Sequence, residues 1–140
     1  MDKYLLITFW LTVLSFTMVV SQMVIAPFRE FVRGSNLFLA PFAIFFLLCA
    51  LLLFLTLSRD VSSEFRTFLL LTGGAGAGVF VSILLHNFIY GAAVHFLGEG
   101  VWDLFGGDEP FLFILGLIIC PLGFLVGVLG TVTRLISPSP

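Results

Sequence analysis

Charged side chains are scarce along this 140-residue chain. Six residues are Lys or Arg and eight are Asp or Glu, 10% of the total. A soluble domain carries about 25% charged residues and covers its surface with them. So few cannot do that here. Basic residues are scarcer still, and the formal net charge is −2. Without a stripe of Lys or Arg there is nothing to neutralise a run of phosphates, which excludes nucleic acid as a partner. Nor does any polybasic cluster mark a site for anionic lipid headgroups.

Cysteine is nearly absent as well. Cys49 and Cys120 both fall inside apolar runs, which gives neither a disulfide framework nor zinc spacing. A small, apolar thiol in such a place reads as packing filler. Both are expected some ten to twelve residues in from the same membrane face, close enough in depth to meet. Catalytic patterns are missing too: there is no nucleophile elbow, no HExxH, no Ser-Lys dyad and no carboxylate within an apolar run. An acid or base must reach its substrate, and only His86 stands at such a place. The expectation is therefore not an enzyme, with no cofactor.

What the chain has in abundance is apolar surface: 60% hydrophobic residues and a mean hydropathy of +1.21. That excludes intrinsic disorder, which needs low hydrophobicity and high net charge. A helix crosses the hydrocarbon core with about 20 mainly apolar residues. Four windows meet that length, approximately 4–26, 37–57, 67–92 and 110–134. The N-terminal window has one Lys before it and no small-x-small exit before Pro27, so it reads as a retained span rather than a signal peptide. In lipid every backbone group must be satisfied within its own segment. The uninterrupted apolarity does not alternate as barrel strands do. The expected fold is an all-α integral membrane protein, a four-transmembrane-helix bundle forming one membrane domain over residues 1–140.

Lys3, Arg59, Arg66 and Arg134 fall on one side of such a stack and Arg29 and Arg33 on the other. The positive-inside rule then places both the N- and C-termini in the cytoplasm of a multi-pass cell-membrane protein. The third connection, with Glu99, Asp103, Asp108 and Glu109 and no Lys or Arg, belongs outside. Asp108 is suited to cap the last helix, with Glu109 and Pro110 in its first turn. Pro121 lies inside that helix, where a missing donor and a clash with the carbonyl of residue 117 predict a kink.

Association between helices in lipid relies on close packing across small residues. In the fourth window Gly116, Cys120, Gly123, Gly127 and Gly130 recur at steps of four and three, a seam along one face. The third window contains TGGAGAG, in which Gly74 and Gly78 form a GxxxG step. That run lacks the Lys-Ser/Thr and the preceding strand of a phosphate loop. It reads as a second glycine face, packing on the first or on copies of itself. The 18 phenylalanines suit the grooves that glycine leaves.

One polar constellation lies within a span. Ser82, His86 and Tyr90 fall within roughly 80° of arc on a helix, with Asn87 beside them. Ser21 and Gln22 are expected at the same depth. Polar groups there turn inward to find partners. The cluster reads first as a hydrogen-bonded fixer of helix register, and otherwise as the lining of a small oligomeric channel or transporter. A haem- or quinone-binding membrane anchor is a further reading, also resting on His86; His95 lies about 180° round the same helix and cannot clamp the same ring. Outside, His95, Glu99 and Asp103 are spaced four apart and form a metal candidate, against which Gly98 and Gly100 argue by breaking the helix. Taken together these features predict a non-enzymatic structural or accessory subunit in the lipid bilayer. It packs through glycine-rich faces with itself, as a homo-oligomer, or with a larger membrane-protein partner.

Overall fold

A computed structural model describes residues 2–27, 30, 38–104 and 110–137, and among these all regular structure is helical. Helix α1 (Lys3–Val24) starts where the Asp2 carboxylate accepts a hydrogen bond from the Tyr4 N–H at 3.4 Å. This satisfies one of the free donors of a helix start. Helix α2 (Ala40–Ser58) carries Pro41 in its first turn, where a missing N–H costs nothing. Helix α3 (Ser63–Leu97) has 35 residues and is therefore about 52 Å long. It overruns the apolar window at both ends, because Glu64 and Arg66 continue a helix readily and nothing stops it until Gly98. There the chain turns at φ 91° and ψ 165°, a backbone conformation that glycine adopts without the penalty a Cβ would bring. A short α4 (Val101–Leu104) follows.

The last span is one rod in three parts: α5 (Pro110–Ile114), a π turn over Leu115–Ile119, and α6 (Cys120–Ile136). The sequence places a kink at Pro121. The structure has the π turn directly ahead of it, with the Cys120 N–H bonded back to the Leu115 carbonyl, five residues earlier. A wider turn relieves the crowding that the proline ring imposes on the preceding carbonyls. Asp108 and Glu109, the expected cap of this span, lie outside the described residues, as do Arg29 and Arg33.

The four long helices run up, down, up and down, each packed on its neighbour in sequence. Arg59 at the end of α2 meets Asp2 at 2.9 Å, and Arg134 at the end of α6 meets Glu64 at 3.5 Å. Both chain ends therefore share one end of the bundle. The interior has two layers. Near the termini Leu5, Phe9, Leu52 and Leu69 are fully buried. Further along, Phe16, Phe45 and Phe124 gather with centroids 4.4 to 5.6 Å apart.

The outside is at least as apolar as the inside. Leu14, Leu47, Phe54 and Leu129 are each more than half exposed, while Thr12, Thr56, Thr72 and Thr131 are fully buried. Water penalises such an arrangement and hydrocarbon does not. Among the described residues there are thus four helices long and apolar enough to cross a membrane.

Candidate functional site

Among the described residues the exterior of the bundle is largely apolar, and most of its buried polar side chains lie at the helix seams. The tightest seam joins α3 to the last span, and glycine builds it from both sides. A Cβ at Gly78 would lie 2.9 Å from the Cys120 Sγ, one at Gly116 3.1 Å from the Ser82 Cβ, and one at Gly123 3.2 Å from the Ala75 Cβ. At Gly127 it would come within 2.6 Å of the Thr72 backbone nitrogen, and at Gly130 it would run into the Phe68 ring. The seam of the fourth window is thus occupied within the chain itself.

Gly74 departs from the expected face. It is exposed, with open space where its Cβ would stand. The close approaches to α2 are made instead by Gly73, against Leu53 and the Cys49 carbonyl, and by Gly76, against Cys49 and Phe45. The GxxxG spacing pairs Gly74 with Gly78, but the buried face of α3 runs through Leu69, Thr72, Gly73 and Gly76. That set follows the i, i+3, i+4, i+7 pattern of one helix side, a signal present in the sequence and not used. The two thiols are also kept on separate seams, Cys49 against Gly76 on the α2 side and Cys120 against Gly78 on the last-span side. Both are free.

The polar patch is spread out rather than convergent. Ser82 is buried at the α3–π-turn seam, against Gly116. The His86 ring packs on Phe113 of α5 at 5.7 Å. Asn87 is exposed, and its Nδ2 donates to the Ile83 carbonyl of its own helix at 2.8 Å. Tyr90, 43% exposed, stacks on Trp102 of α4 with centroids 5.5 Å apart and planes within 1°. Gln22 belongs to another seam: it is buried, and its Nε2 donates 2.9 Å to the Phe38 carbonyl ahead of α2. Its Oε1 is buried without a hydrogen bond among the described residues. The pairing of Trp102 with Tyr90 needs the turn at Gly98, which brings α4 back onto α3.

The same turn separates the outer acidic cluster. His95 is on α3, Glu99 in the turn and Asp103 on α4, so the three do not share a helix face. Among the described residues no group of three His, Cys, Asp or Glu side chains is placed to hold a metal ion.

Beyond the phenylalanine triad, away from the chain ends, the helices leave a cavity of about 240 Å³. Its walls come from α1 (Phe16, Val19, Val20, Met23), α2 (Phe42, Phe45), α3 (Val79, Phe80, Ile83) and the last span (Gly116, Leu117, Pro121). Among the described residues no ionisable or hydrogen-bonding side chain lines it. Compared with family models, curated proteins and solved structures, the chain matches none.

Proposed function

We propose that this chain is a non-enzymatic structural or accessory subunit of the cell membrane, spanning it four times with both termini in the cytoplasm. The carrying observation is how the interior polar groups are used. Thr12, Ser15, Thr56, Thr72 and Thr131 each donate to a carbonyl three or four residues back on their own helix, at 2.7 to 2.9 Å. Such groups are satisfied locally and offer nothing to a substrate. The phenylalanine triad fills the axis between α1, α2 and α6, so a transported solute would need a path between copies rather than through one bundle. The collection of Lys3, Arg59, Arg66 and Arg134 at the end that holds both termini supports the orientation.

With the glycine seam turned inward, a partner has to meet the lipid-facing surface. Gly74 marks a part of α3 where a second helix can come close, because no side chain of its own holds it off. Purification in mild detergent followed by cross-linking tests the reading. A stoichiometric membrane partner, or a defined homo-oligomer, should be recovered, and Gly74→Leu should release it while the fold is kept. A monodisperse single chain with nothing attached would remove the proposal.

The transport and haem alternatives both rest on His86. Proteoliposome flux lost in His86→Ala, or Soret absorption of the purified protein, would favour them over a structural role.

A further inference from the structure

We propose that the cavity at the π turn is a binding site for one hydrocarbon chain, the acyl tail of a phospholipid or an isoprenoid tail, entering sideways from the bilayer between α1 and the last span. Four observations converge on it. The first is chemistry: among the described residues the wall side chains are all aliphatic or aromatic, so water entering would find few of the two to four polar partners it needs. The second is size. A cavity of about 150 Å³ lined by apolar side chains takes up benzene, and this one, at about 240 Å³, is larger. Left empty, its walls would forgo their dispersion contacts on one side.

The third is access. α1 packs closely along α2, whereas no comparably close packing joins it to the last span, which it meets at the Phe16–Phe124 ring contact. The wall residues on the two sides of that gap, Val20 and Met23 on α1 and Leu117 on the π turn, are 40 to 53% exposed. They face the same surroundings as the other apolar side chains of the exterior, so the mouth of the cavity opens onto lipid. The fourth is construction. The π turn before Pro121 widens the last span at this level, and Gly116, pressed on Ser82 and Val79, adds no side chain of its own. The hollow is therefore built by backbone geometry rather than by one misfitting side chain.

The test uses the full chain in lipid nanodiscs doped with a phosphatidylcholine bearing a diazirine at the end of its acyl chain, or, in a parallel sample, with a diazirine-bearing polyprenol. After photolysis, adducts are mapped by peptide mass spectrometry. Labelling of Met23, Phe80 and Ile83 should exceed that of Leu14 and Leu129 several-fold with at least one lipid, and which lipid does so identifies the source of the chain. Val79→Phe, which fills the cavity from α3, should lower that excess several-fold and leave Leu14 labelling unchanged. Val20→Trp, placed at the lipid-exposed mouth where added bulk does not strain the core, should do the same and serves if the first variant fails to fold. Equal labelling of cavity and exterior residues with both lipids, or an excess that survives Val20→Trp, would overturn the proposal.

Discussion

Gly127 of α6 lies so close to Thr72 of α3 that a single added carbon would stand 2.5 Å from the Thr72 Oγ1 and 2.6 Å from its backbone nitrogen. A hydroxyl can rotate away, but a helix backbone cannot. This contact fixes how near α3 and the last span approach, and the neighbouring steps at Gly123 and Gly130 follow from it.

Gly127→Ala should therefore destabilise the bundle. Replacing a mid-helix glycine by alanine gains up to about 1 kcal/mol of helix propensity, whereas forcing extra volume into a packed seam costs about 1–3 kcal/mol. Gly74→Ala, with open space around it, keeps the gain and avoids the cost. Thermal unfolding in detergent should thus move down for the first and not down for the second. Equal shifts would mean that the seam is not the close contact described.

The two cysteines provide a second check. Cys49 is fully buried and Cys120 nearly so, on different seams of α3. A maleimide should alkylate neither in the folded protein at the rate seen after denaturation. Copper-phenanthroline should not join them, and an intramolecular disulfide in the mass spectrum would contradict their placement.

Within the polar patch, substitutions should separate by seam. Asn87→Ala removes only a bond to its own helix at an exposed position, so stability should stay within about 0.5 kcal/mol. Ser82→Leu, at a buried position facing Gly116, should lower the unfolding midpoint clearly. Parallel melts of the two variants report the contrast.

Topology can be read with reporter fusions. A reporter after Arg134 and one inserted near Asp60 should both be cytoplasmic, and one inserted at Glu99 should be on the opposite side. Any other distribution removes the four-span arrangement in the orientation proposed.

The exposed ion pair between Asp2 and Arg59 should matter little. Their side chains are 35–48% exposed, and pairs of this kind contribute about 0–1 kcal/mol. Asp2→Asn should shift the melting midpoint slightly at low salt and not at all at high salt, where the attraction is screened.

By itself the sequence determined the number of helices long and apolar enough to cross a membrane and their up-and-down order. Each is settled by runs of about 20 apolar residues and short connections, where the hydrocarbon thickness and the need to satisfy backbone groups leave one solution. It also gave the seam from Gly116 to Gly130, because one residue every three or four positions stays on one helix side whatever the partner is. What lay across from that seam depended on the rotation of α3 about its own axis. The structure set that rotation by burying Thr72, Gly73 and Gly76, which left Gly74 outside, took Asn87 away from the interior and parted Cys49 from Cys120. The cavity likewise came from four helices and a π turn meeting at one level. Periodicity along a chain fixes which residues share a side of a helix, but only packing against neighbours fixes the direction that side faces.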